Sequence, residues 1–197
     1  MTDEYKTITD KLSEGFYSEK RSKFLAFAVH VTTEQQVKDI VQQYRKKYYD
    51  ARHVCYAYVL GADRELFRAN DDGEPSSTAG KPILGQITKN ELTDILIIVV
   101  RYYGGVNLGT SGLIVAYRTA AAEAIENAEI VSKYCEEEVD FSFPYIMMND
   151  VMKVIKEMSP NIISQKYDNL CEFELSIRRS LAPILREKLD KLAFKDD

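Results

Sequence analysis

The chain of 197 residues has no apolar run long enough to cross a bilayer. Its longest purely aliphatic stretch, Ile95-Leu96-Ile97-Ile98-Val99-Val100, falls far short of the roughly 18 residues that a membrane helix requires. The first eleven residues mix charges of both signs and lack the apolar centre of a secretory signal, so the cytoplasm is the expected location and no membrane partner is expected. Basic residues are not in excess: 26 Lys and Arg stand against 31 Asp and Glu, a net charge of −5. No global field therefore draws the chain to nucleic acid or anionic lipid, and any RNA contact has to be a local patch. The three cysteines, Cys55, Cys135 and Cys171, are widely spaced and form no C-x-x-C pair. That excludes a disulfide scaffold and a structural zinc site, and the three read as buried thiols. With 45% apolar and 29% charged residues, collagen-like, low-complexity and disordered classes are excluded too.

What is present is a succession of short periodic segments. Leu12 to Tyr17 and Phe24 to Val31 are rich in β-formers and read as a hairpin around a polar turn. Thr33 followed by Gln36 is a capping-box pattern, and Val37, Ile40, Val41 and Tyr44 then predict a helix to about Tyr48. Its basic end, Arg45-Lys46-Lys47, suits the negative pole of the helix dipole. His53 to Leu60 is a strand, followed by a polar loop from Gly61, and Thr78 is the expected N-cap of a short helix carrying Ile83, Leu84 and Ile87. Asp94 to Tyr102 is apolar without alternation, so both faces should be covered, at the centre of the first sheet. A glycine-punctuated turn over 102–112 leads to a helix from Leu113 to Asn127, striped with alanines. After Ala128 the pattern restarts as a strand over Val131 to Phe143, a helix over Asn149 to Met158, a hairpin, and a helix over Ser180 to Leu192. The expected class is α+β in two domains, 1–130 and 131–197. The first carries 16 basic and 18 acidic residues, the second 10 and 13, so neither is a basic module.

Chemistry-bearing residues concentrate in two loops. The first places Asp71, Asp72, Glu74, Ser76, Ser77, Thr78 and Lys81 within eleven residues. The second runs from Arg101 to Gly112 and precedes a helix start, where unpaired backbone N–H groups at 109–112 could cradle a phosphate or carboxylate. Gly80-Lys81 is followed by proline, and Gly104, Gly105, Gly109 and Gly112 miss the G-x-G-x-x-G spacing, so neither an ATP nor an NAD site is supported. Blander readings stand beside these. The glycines serve tight turns, Thr110 or Ser111 caps a helix, and the acidic loop is a solvated turn. His53 and Cys55 share a strand face but lack evident third and fourth metal partners, and the tyrosines read as core or rim aromatics.

The strings Asp71-Asp72-Gly73-Glu74-Pro75-Ser76-Ser77-Thr78-Ala79-Gly80-Lys81-Pro82-Ile83-Leu84 and Val99 to Leu113 (VVRYYGGVNLGTSGL), with Ala116-Tyr117, closely resemble the signature of the IMPACT/YigZ family. Ser22-Lys23-Phe24 and Ala51 to Ala57 (ARHVCYA) are similar to its lesser motifs. The resemblance spans about residues 15 to 125. It implies an N-terminal domain like the second domain of a small-subunit ribosomal protein, followed by a ferredoxin-like domain similar to the last domain of elongation factor G. Ser77 and Ser111 stand where glycine is usual in the family, and the sequence stops before the last strand of the ferredoxin-like order. The missing strand would leave an open sheet edge. The resemblance implies translation regulation as in the eukaryotic members and nucleic-acid or ribosome binding as suspected of the bacterial ones, whose activity is unknown; no established enzyme chemistry comes with the family, and no cofactor is expected.

Together these readings predict a non-enzymatic, translation-associated protein that binds RNA, the ribosome or a translation-factor partner through a polar cleft. Its expected site residues are His53, Asp72, Glu74, Ser76, Thr78, Lys81, Arg101, Tyr102, Gly104, Gly105, Thr110 and Ser111, with Lys81 and Arg101 contacting phosphate or carboxylate. The alternative is a metal-dependent hydrolase of a phosphorylated small molecule that uses Asp72, Glu74 and His53.

Overall fold

The computed structural model describes residues 3–193. The order is β1 (Glu4–Ile8), β2 (Ser13–Glu19), β3 (Ser22–His30), α1 (Glu34–Lys47), β4 (His53–Leu60), β5 (Leu66–Asn70), α2 (Gly80–Lys89), β6 (Ile95–Tyr102), α3 (Gly109–Glu126) and β7 (Ile130–Tyr134). There follow β8 (Glu136–Phe143), α4 (Met148–Met158), β9 (Asn161–Tyr167), β10 (Cys171–Arg178) and α5 (Ala182–Ala193). This is a mixed α/β chain with antiparallel sheets, in two compact units. The first unit runs from Tyr5 to Lys133; the second takes the chain from Tyr134 onward together with Asp3 and Glu4.

The first unit is built on a five-stranded sheet ordered β2-β3-β6-β4-β5, antiparallel throughout. The aliphatic strand β6 lies at its centre and is buried from Ile95 to Arg101. Side chains alternate across a strand. Ile95, Ile97 and Val99 therefore pack with α2 and α3, while Leu96, Ile98 and Val100 pack with Val37 and Val41 of α1. Gly15 explains how closely α3 lies on the sheet, because a Cβ there would meet the α3 backbone at Ala124 N and Ala120 O, 2.4 and 2.5 Å away. The turn of the β2–β3 hairpin is Lys20-Arg21, with φ of 45° and 67°, the left-handed pair of a two-residue primed turn. Thr33 and Gln36 form the capping box that opens α1.

In the second unit β8, α4, β9, β10 and α5 follow one another, and the sheet order is β8-β10-β9. Val139, Phe143, Phe173, Leu175 and Ile177 form its core with α4 and α5. On the edge strand β8, Glu136, Glu138 and Asp140 are exposed, and charges of this kind discourage pairing with another chain's edge.

Several boundaries differ from the sequence reading. The stretch after Gly61 contains β5, an edge strand whose Leu66 and Phe67 remain exposed and so show no periodic pattern. The strand expected over 131–143 breaks at Cys135 into β7 and β8, and β1 pairs with β7 in a separate two-stranded sheet. Helix α3 begins at Gly109, one turn before the first buried apolar residue, Leu113. The N-cap of α2 is Ala79 rather than Thr78, and its side chain makes no capping bond.

Candidate functional site

The missing cap of α2 is supplied from a distance. The Asp71 carboxylate accepts hydrogen bonds from Ala79 N and Gly80 N through Oδ1 (3.1 and 2.8 Å) and from Ser77 N through Oδ2 (2.8 Å). An anion at a helix N-terminus is the favoured arrangement. Thr78, the expected cap, is buried and donates to the Pro75 carbonyl at 2.6 Å. Ser77 holds φ at 66°, so the backbone takes the left-handed conformation here although the residue is not glycine.

Asp72 faces the sheet. Its Oδ2 accepts from Val54 N and its Oδ1 from Arg45, both at 2.7 Å. Its carbonyl lies 2.7 Å from His53 Nδ1, and a carbonyl only accepts, so Nδ1 carries a proton. The other ring nitrogen, Nε2, lies 3.7 Å from Glu74 Oε2. Glu74 is 8% exposed, and its Oε1 accepts from Arg101 Nη1 at 2.5 Å and from the Tyr117 hydroxyl at 2.7 Å. The Cys55 thiol completes the cluster, 3.4 Å from the Tyr117 oxygen and 3.0 Å from the Asp71 carbonyl. Burial raises the pKa of both Tyr117 and Cys55 far above their ordinary values, and the nearby Glu74 carboxylate adds to the shift. Both groups stay protonated at neutral pH, so Cys55 is a packed thiol and not a nucleophile. All three cysteines are free and buried.

Above this network lies a cavity of about 530 Å³. Arg52, His53, Glu74 and Pro75 form one wall, Arg101 and Tyr103 another, and Asn107, Leu108, Gly109, Thr110 and Leu113 close it at the start of α3. Leu108, the N-cap of α3, has helical dihedrals and no capping side chain. The first N–H groups of α3 thus lack a helical acceptor at the positive end of an 18-residue helix. Arg52 is exposed and forms no ion pair among the described residues. Arg101 is 5% exposed, and its Nε has no protein acceptor.

Of the expected site residues, His53, Glu74, Arg101 and Thr110 line the cavity. Lys81 does not: it is exposed on α2, outside the lining, so the expected pairing of Lys81 with Arg101 on one ligand is not formed. Asp72 sits behind His53 with both carboxylate oxygens engaged. Ser76 is exposed, and Tyr102 donates to Asp50 at 2.9 Å. Ser111 faces a neighbouring hollow that contains Lys20 and shares Leu108 with the first. Gly104 is a packing residue, since a Cβ there would sit 2.2 Å from Arg21 C and 2.3 Å from Ser22 N. Gly105 supplies a turn with φ of 85°. Arg52, Tyr103 and Asn107 line the cavity although they were not among the expected site residues, and Tyr117 joins the cluster beneath it; Arg52 and Tyr103 adjoin His53 and Arg101 across the β4–β6 pairing, which sequence distance conceals. Among the described residues no three His, Cys, Asp or Glu side chains are grouped so as to hold a metal ion. This does not fit the alternative use of Asp72, Glu74 and His53 as a metal centre.

Residues 20–125 match the family model of the Impact N-terminal domain. Across 192 residues, 98% of the chain, it is 31% identical to the IMPACT family member YvyE of Bacillus subtilis, of which it covers 88%. The chain belongs to the IMPACT family. The IMPACT family member YigZ of Escherichia coli is 34% identical over 150 residues, 75% of this chain and 74% of that protein. A crystal structure of a hypothetical protein superposes on all of this chain and 96% of the other with a TM-score of 0.74 at 27% identity. The matched IMPACT segment contains every residue that lines the cavity, together with the buried Glu74-Arg101-Tyr117 cluster beneath it.

Proposed function

We propose that this IMPACT family protein is a non-enzymatic, translation-associated regulator, acting in the cytoplasm, which binds a phosphate-bearing RNA partner in the cavity at the start of α3. The observation that carries this reading is the convergence of Arg52, Arg101 and the uncapped N-terminus of α3 on one concavity. Anions bind where backbone N–H groups and guanidinium donors meet. The catalytic alternative lacks free reagents: Glu74 accepts two hydrogen bonds from protein, Asp72 is engaged by Val54 and Arg45, and Cys55 and Tyr117 remain protonated. Translation as the setting rests on the family resemblance, which also implies the fold analogies. The second unit's β-α-β-β-α succession with sheet order β8-β10-β9 supports a ferredoxin-like pattern over the described residues. No described helix is long and apolar enough to cross a membrane.

Filter binding of ribosomes and structured RNA across a salt series tests the proposal. Arg52→Ala, which removes an exposed and unpaired cation, should weaken binding several-fold and flatten the salt dependence by about one charge. Absence of any association at low salt, or identical binding by wild type and Arg52→Ala, refutes it.

A further inference from the structure

The aromatic residue on the cavity wall has no role in anion binding. Tyr103 is 48% exposed, yet its ring is held in place. Its hydroxyl donates to Asn107 Oδ1 at 3.1 Å, and the Arg101 guanidinium lies 5.5 Å from its ring centroid and 5.5 Å from that of Phe24. A fixed aromatic surface beside phosphate donors matches the two chemical parts of a nucleotide. From this we infer that Tyr103 is a stacking platform and that the ligand is an unpaired nucleotide of single-stranded RNA, with its base against Tyr103 and its phosphate at Arg52 and the first turn of α3. The inference rests on the RNA-binding reading above and deepens it. A cavity of about 530 Å³ lies in the range for one small ligand, about 300–1,000 Å³, and is too small to enclose a duplex. The adjacent hollow shares Leu108 and offers Lys20 and Ser111, so the strand continues past the α3 terminus to a second cationic position.

The chain contains no tryptophan, so Tyr103→Trp in the full-length protein creates a single indole reporter. Titration with a uridine oligonucleotide at low salt should quench its emission saturably. Inorganic pyrophosphate should displace the oligonucleotide without quenching. Tyr103→Leu should lower oligonucleotide affinity about 5- to 150-fold, the range observed for loss of one stacked base, while Tyr103→Phe keeps it. Because the side chain is half exposed, thermal melts of the Leu variant should match wild type and separate lost stacking from lost fold. Oligonucleotide binding with unchanged indole emission, or with equal affinity in Tyr103→Leu, overturns the stacking inference and leaves the RNA-binding reading standing. No oligonucleotide or ribosome binding by wild type overturns both, and a phosphorylated peptide that binds in its place assigns the site to a protein partner instead.

Discussion

Tyr117→Phe isolates one hydrogen bond in the polar cluster beneath the cavity. Tyr117 is fully buried on α3, flanked by Ala116, Ala120 and Ala121, and its ring packs edge-on against Phe24 at 5.1 Å. Removing the hydroxyl leaves that packing intact and takes away only the donor 2.7 Å from Glu74 Oε1. Cys55 retains an acceptor in the Asp71 carbonyl, so no second group is orphaned. A hydrogen bond to a buried charge contributes about 1.5–3 kcal/mol. The expected loss is therefore about 2 kcal/mol, which for a unit of this size lowers Tm by roughly 6–8 °C. Scanning calorimetry at pH 7 reads the shift, and urea melts should give a lower midpoint at unchanged slope. A double-mutant cycle with Glu74→Gln should show that the two changes are not additive. A Tm within 1 °C of wild type would mean that Arg101 alone balances Glu74 and that the hydroxyl contributes nothing.

Alkaline stability follows from the same groups. Burial and the hydrogen bond to Glu34 push Tyr58 from 10 up to about 12, and Tyr117 and Cys55 are shifted in the same direction. Each folded-state pKa lies above the unfolded one, which is about 9 for the Cys55 thiol and about 10 for the two tyrosines, so above about pH 9 the unfolded chain loses protons that the folded chain keeps. Stability is thus fully present below that pH and falls as pH approaches 12. Thermal melts between pH 9 and 12 should show the decline, with tyrosinate absorbance at 295 nm rising only alongside unfolding for Tyr58 and Tyr117; a flat Tm over this window contradicts the assignment. Two glycines should respond oppositely to alanine. Gly104→Ala drives a Cβ into the backbone at Arg21 and Ser22 and should cost about 1–3 kcal/mol, whereas Gly85→Ala on α2 meets nothing within 4 Å and should stabilise by about 0.5–1 kcal/mol. Paired chemical melts decide both, and equal effects of the same sign would show that the close approach at Gly104 does not constrain the fold.

Elements whose pattern is local were legible in the sequence. The six aliphatics of β6 announce a strand covered on both faces, and Thr33 with Gln36 marks the start of α1. The start of α3 was misplaced because nothing at Leu108 resembles a cap, and glycines that read as turn residues form the first helical turn. β5 escaped notice because an exposed edge strand needs no alternation. The two chemical loops were identified from composition, but not the partners of their side chains. Asp71 caps a helix eight and nine residues ahead, and Asp72 reaches back to Val54 on a strand already passed. Such pairings are set by tertiary closure, so a dense cluster of carboxylates and hydroxyls reads alike whether it serves a ligand or the fold. Here Asp71, Asp72 and Thr78 hold the loop, while Glu74 and His53 line the cavity wall.

The net charge of −5 constrains how that cavity can work. Glu74 cancels the charge of Arg101 at 2.5 Å, so the wall's unbalanced positive charge comes from Arg52 and the dipole of α3. Neither produces a long-range field around an acidic protein, and steering by net charge is absent. On the proposed RNA-binding reading, affinity then comes from contacts made after docking: oriented N–H donors, the free guanidinium of Arg52 beside the Glu74-paired Arg101, and stacking on Tyr103. Binding built this way has a shallow salt dependence. With one or two phosphates neutralised on a single strand, the slope of log K against log[salt] should be about −0.7 to −1.4, compared with about −10 for a repressor that grips many phosphates. A slope steeper than about −4 in the same filter-binding series would require a basic surface elsewhere on the chain and would move the RNA contact away from this cavity.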